Sequence, residues 1–135
     1  MAALNQGRMT PERSGETRTV QVDANVKIFE GALVVLAAGF AKPGATATGL
    51  VAIGRAEEMA DNTGGAQGAM ALRVRPGIFR FDNSAAGDAI TAAEIGSDCY
   101  VVDDHTVAKT SATNARSVAG EVFDVDAQGV WVKFK

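Results

Sequence analysis

Residues 117–134, "SVAGEVFDVDAQGVWVKF", alternate apolar and polar positions on either side of Asp126-Ala127-Gln128-Gly129. A period of two lines one face of a strand, whereas a helix needs a period near 3.6. Asp126 offers a side-chain acceptor to turn amides, and Gly129 suits the left-handed position of a short hairpin loop. The stretch therefore predicts two antiparallel strands joined by a tight turn. In the second strand Val130, Val132 and Phe134 form one face, and Trp131, Lys133 and Lys135 form the other. Trp131 is expected to cap the core, with a subunit contact as the alternative.

The same wording recurs upstream. "CYVV" (99–102) and "TVAKT" (106–110) flank Asp103-Asp104-His105, which predicts a second hairpin. "AMALRVRPGIFRF" (69–81) alternates, breaks at Pro76-Gly77 and resumes. "ALVVLAAGFAK" (32–42) reads as a buried strand with a bend near Gly39, and "GLVAIGRAEE" (49–58) as a further strand. "TVQV" (19–22) and "VKIFEG" (26–31) add short runs on either side of Asp23-Ala24-Asn25. Many short strands with turn signals every ten residues or so indicate an all-β sandwich or barrel. One short helix fits at Thr91-Ala92-Ala93-Glu94, where hydroxyl and carboxylate have capping-box spacing and Gly96 supplies a stop. The expected fold is mainly β with that one short helix: a small barrel-like or sandwich-like domain over residues 19–135.

Residues 1–18 differ from the rest. After Leu4 and Met9 they are almost wholly polar, and Pro11 favours an extended backbone at Thr10. They read as an extended N-terminal arm, with a plain disordered terminus as the equal alternative to an arm that orders on a partner.

Composition bounds the function. At 135 residues and 47% apolar, one domain can bury a core. A net charge of −3 argues against nucleic-acid binding, and no apolar run approaches a membrane span. The N-terminal stretch lacks the apolar core of a secretory signal, which predicts a chain without an export address. With Cys99 the single cysteine, neither an intrachain disulfide nor a cysteine zinc cluster can form.

Candidate chemistry is sparse. Asp103, Asp104 and His105 are adjacent, but convergent ligands or a third catalytic group are not evident, and a turn explains all three. "GFAKPGAT" (39–46) has the G-x-x-x-x-G spacing of a phosphate loop but continues with Ala45 and Thr46 where Lys and Ser/Thr are required. It reads as a turn at Lys42-Pro43-Gly44. "NTGGAQG" (62–68) precedes a strand pattern instead of a helix, so it reads as a flexible surface loop. Cys99 is expected to be a small buried hydrophobe, and a hydrolase built on Cys99 or His105 is the weakest reading. Arg73 and Arg75 share a strand face opposite Leu72 and Val74, and Arg80 lies between Phe79 and Phe81. The arginines read first as a solvated face; as the alternative, Arg73, Arg75, Arg80 and Trp131 are candidate contacts with another subunit or with an acidic protein surface.

Several segments together resemble a known family: "NQGRMTPERSG" (5–15), "VKIFEGALVVL" (26–36), "ATGLVAIGRAEEMADNTGGAQGAMALRVRPGIFRF" (47–81), "CYVVDDHTVAKT" (99–110) and "ARSVAGEVFDVDAQGVWV" (115–132). They resemble the capsid decoration, or structural cement, proteins of tailed bacteriophages. The resemblance covers nearly the whole chain and rests on the order of segments, with no catalytic motif. It implies a non-enzymatic virion protein, made in the bacterial host cytoplasm, without cofactor or metal. Such a protein binds the outside of a phage head and joins neighbouring major capsid subunits, commonly as a homotrimer at three-fold or quasi-three-fold sites. The arm would then lie on the capsid, with Leu4, Arg8, Met9, Pro11, Arg13 and Arg18 as its contact candidates. The expected partners are the major capsid protein and further copies of the chain, with neither nucleic acid nor membrane. The alternative is a virion-displayed β domain that binds a carbohydrate or host surface.

Overall fold

A computed structural model describes residues 2–135. The strands are β1 (Arg18–Gln21), β2 (Lys27–Ile28), β3 (Leu33–Ala37), β4 (Phe40–Pro43), β5 (Val51–Ala56), β6 (Ala60–Asp61), β7 (Ala71–Arg75), β8 (Ile78–Asn83), β9 (Asp98–Val101), β10 (Thr106–Ala108), β11 (Val118–Asp126) and β12 (Gly129–Lys133). The protein is mainly β, as the alternation predicts. Two sheets share the work. One has five strands in the order β1-β7-β5-β3-β4, and a parallel bridge from Val22 to Ala41 brings its two edges together. The other is a closed barrel in the order β10-β8-β12-β11-β9. The short β2–β6 pair stands beside them.

The division follows the chain. Pro76-Gly77 separates β7 of the first sheet from β8 of the barrel, so the break seen in the sequence is the passage between sheets. Proline lacks the amide that a continuing ladder would need. The two halves are joined through β3. Its alternate side chains enter different cores: Leu33 and Val35 pack with Phe81, Val101, Val107, Val130 and Val132, while Val34 packs with Ile28, Ile53, Leu72 and Val74. A strand buried on both faces reads as a continuous apolar run, which is why "LVVLA" shows no alternation.

Both predicted hairpins form. β11 and β12 pair from Glu121↔Lys133 to Asp126↔Gly129, and β9 and β10 pair through Val107↔Val101. At the first turn Asp126 Oδ1 accepts the amides of Gln128 and Gly129 at 2.8 and 3.0 Å. Gly129 is needed for a different reason from the one expected. Its φ of +156° is not that of a left-handed helical turn, and a Cβ there would lie 2.3 Å from the Phe81 carbonyl oxygen. The neighbouring β8 backbone, which pairs Val130 with Phe81, leaves no room for a side chain.

Three local readings change, and the short helix is as expected. Residues 32–42 do not form one bent strand: Ala38 and Gly39 both have positive φ and reverse the chain fully between β3 and β4. Lys42 and Pro43 are not a turn but the end of β4, opposite Val35 and Val34. The short helix forms with its full capping box as a single 3-10 turn, Ala92–Glu94, and a further such turn spans Ala86–Asp88. The "NTGGAQG" loop is tied to the body. Asn62 is buried and its amide donates to the carbonyls of Asp23 and Ala66 at 2.8 and 3.0 Å. Asn25 accepts from the Gly64 amide, and Gln67 donates to Asp23.

Candidate functional site

The Asp103-Asp104-His105 triplet is a turn, stapled to a neighbouring strand. Asp103 Oδ1 accepts the His105 amide at 2.9 Å, which fixes the reversal between β9 and β10. The imidazole reaches out of the turn to β8, with Nδ1 at 2.8 Å from Asp82 Oδ2 and Nε2 at 3.5 Å from Asp103 Oδ1. The hydrogen bond to Asp82, then the charge of Asp103, raise the imidazole above its ordinary pKa. All of these groups are open to solvent, and the bonds they make hold the turn against the barrel. Cys99 lies on the opposite side of the wall. It is fully buried in the barrel core, its thiol 3.5 Å from the Gly120 carbonyl, and burial pushes its pKa up to about 12. A thiol so hard to ionise is a poor nucleophile. Cys99 is thus in the core, whereas His105 is solvent-exposed and bonded to Asp82.

Residues 44–46 hold the end of β4 against the barrel. A Cβ on Gly44 would lie 2.8 Å from the Asp103 carbonyl oxygen, and Thr46 donates to the Val102 carbonyl.

The arm candidates stand off the body. Residues 2–17 are exposed throughout, Leu4 at 75% and Met9 at 96%. Their one backbone hydrogen bond between described residues is internal, from the Thr10 amide to the Arg8 carbonyl. Arg18 belongs to β1, where its Cα stands opposite Val74. The arm thus leaves from the end of the first sheet where Arg75 lies.

The other candidates fall on two surfaces that one unforeseen residue connects. Arg73 and Arg75 are exposed on the outer face of β7, with Leu72 and Val74 buried beneath, as the alternation predicts. Arg73 is already engaged, donating from Nη2 to Glu58 Oε2 at 3.3 Å. Arg80 and Trp131 are directly opposite one another on β8 and β12, with the guanidinium carbon 5.6 Å from the indole centroid. Trp131 does not cap the core. It lies half-buried on the barrel's outside, its indole N–H donating to Asp126 Oδ2 at 2.8 Å. Asp126 thereby holds the turn and the indole together, and those bonds, with the nearby Arg80 charge, lower its pKa.

Arg55 links the two surfaces. Its Cα is paired with that of Arg75 across β5 and β7. Its guanidinium stacks on Phe79 at 4.2 Å and donates to Glu57 at 2.9 Å. Arg55, Phe79, Arg80 and Trp131 line one shallow groove of about 300 Å³. A signal for Arg55 was present in the sequence, since it is a lone cation inside an apolar strand; the Asp82 partner of His105 had no local signal. A larger groove of about 410 Å³ runs between the start of β5 and β11, past Leu50, Val51 and Val118. The Ser117 hydroxyl in it is taken up by the Ala47 carbonyl and the Leu50 amide. Comparison of the chain with protein-family models, with curated proteins and with solved structures finds no match.

Proposed function

We propose that this chain is a structural protein of a tailed-phage head: it binds the outer capsid surface and cements neighbouring major capsid subunits, as a homotrimer at three-fold or quasi-three-fold sites. The observation that carries the reading is the arm, an exposed polar segment with two solvated apolar anchors on a body braced by two cores. Fully extended, residues 2–17 reach about 50 Å at roughly 3.3 Å per residue, enough to cross from the body onto a neighbouring subunit. An arm that orders on its target covers a large surface at an ordering cost of about 2–5 kcal/mol. A bridge held by body and arm together gains from the high effective concentration of the second contact. The family resemblance of the sequence supplies the identity of the target.

The test mixes the full chain with expanded, undecorated phage heads and images them by cryo-electron microscopy. Density at three-fold positions, with residues 2–17 traceable over the capsid, is the expected result. A chain beginning at Arg18 should fold and fail to decorate. Bare heads with the folded full-length chain would overturn the reading.

A further inference from the structure

A short stretch of surface concentrates arginine against aromatic rings at a cost to the fold. Arg55 and Arg75 face each other directly across β5 and β7. Like charges in that position repel. Glu57 relieves one of them by binding Arg55. Arg75 and Arg80 make no ion pair with any described residue. The carboxylate best placed to serve Arg80, Asp126, is committed to Trp131 and the β11–β12 turn. The Arg55 guanidinium lies over Phe79 at 4.2 Å and that of Arg80 over Trp131 at 5.6 Å, and all four residues line the same groove. A guanidinium over an aromatic face keeps its N–H donors in its own plane, where the fork can take both oxygens of a carboxylate at once, and those of Arg80 have no acidic partner among the described residues.

We propose that the Arg55–Phe79–Arg80–Trp131 groove, with Arg75 beside it, docks an acidic segment of a protein partner, taking its carboxylates on Arg75 and Arg80 and its apolar side chains on the rings. The inference rests on the reading of the chain as a capsid-binding protein in one respect, that the segment belongs to the shell. The chemistry of the groove stands without it.

Trp131 is the chain's single tryptophan, so its fluorescence reports on this groove alone. The full chain is titrated with a short peptide of alternating Glu, Asp and Leu residues, and with the same peptide carrying Gln and Asn. The acidic peptide should shift the emission and saturate, and the amide peptide should do neither. Raising ionic strength from about 0.01 to 0.15 M, which cuts the Debye length from ~30 to ~8 Å, should weaken binding. Arg75→Gln and Arg80→Gln should each cost about fivefold in Kd, the size of one exposed ion pair. Lys109→Gln, an exposed cation outside the groove, should cost nothing. Equal binding of the two peptides, or an equal loss from Lys109→Gln, would overturn the proposal. The head-binding assay separates the two readings. Wild-type decoration unaffected by Arg75→Gln/Arg80→Gln removes the groove and leaves the cement function. Saturable acidic-peptide binding by a chain that never decorates heads leaves the groove and removes that function.

Discussion

His105 and Gly129 show how single positions carry the architecture. His105 is the chain's single histidine, so one imidazole signal reports the bond to Asp82. Its pKa is raised by that hydrogen bond first, and by the Asp103, Asp82 and Asp104 charges after it. A raised folded value means that the fold favours the protonated ring. Its contribution to stability is complete below the unfolded value of about 6.5 and is lost as pH rises through the higher folded value. An NMR titration should place the pKa above 6.5, and Asp82→Asn should return it towards that figure. A titration unchanged by Asp82→Asn would mean that the staple is absent in solution. Gly129 belongs to a different class, in which the constraint is a neighbouring backbone. Gly129→Ala must displace the Phe81 carbonyl and should lose about 1–3 kcal/mol in urea unfolding, the usual range for overpacking. Gly87→Ala, where a Cβ meets nothing within 4 Å, should stay within about 0.5 kcal/mol of wild type. The need for glycine at 129 was legible in the sequence. Its cause was not, because a strand more than forty positions away in the chain supplies the obstructing oxygen.

At the scale of elements, β11 departs from simple alternation. Its pairing with β12 slips between Val122 and Asp124, so Phe123 is the extra residue of a bulge and is 54% exposed. Bulges re-aim side chains in this way. Phe123→Ser should therefore change stability by less than about 1 kcal/mol, whereas Val122→Ala, in the barrel core, should cost about 2 kcal/mol. Equal losses would place Phe123 inside. The sequence made "SVAGEVFDV" legible as a strand and hid the bulge, since the number of residues opposing β12 is fixed by a partner's register. The same applies at residues 32–42, where two strands buried by other parts of the chain read as one apolar run. The arm presents the opposite case. It has neither period nor partner, and removing residues 2–17 should leave the thermal midpoint unchanged, as a calorimetric scan of the shortened chain can show.

The whole molecule has two cores and one wall between them, and that arrangement decides how it unfolds. Strand types and most hairpins were legible from local alternation; the sharing of β3 between cores was not, because it depends on both faces being covered at once. Val34 and Val35 are adjacent in sequence, both fully buried, and belong to different cores. Each truncation to alanine should cost about 2 kcal/mol through lost burial and the cavity left behind. Were the cores independent, Val34→Ala would spare the barrel, and the fluorescence of Trp131 on its surface would keep its wild-type transition. A wall strand cannot be withdrawn from one core while remaining seated in the other, since Leu33 and Val35 would leave the barrel as Val34 leaves its partners. Val34→Ala should accordingly lower the urea midpoint read by Trp131 fluorescence as much as Val35→Ala does, and far-ultraviolet circular dichroism should give the same midpoint in each variant. A Trp131 transition unmoved by Val34→Ala, with a separate earlier loss of dichroism, would mean that the barrel holds without the first sheet's core.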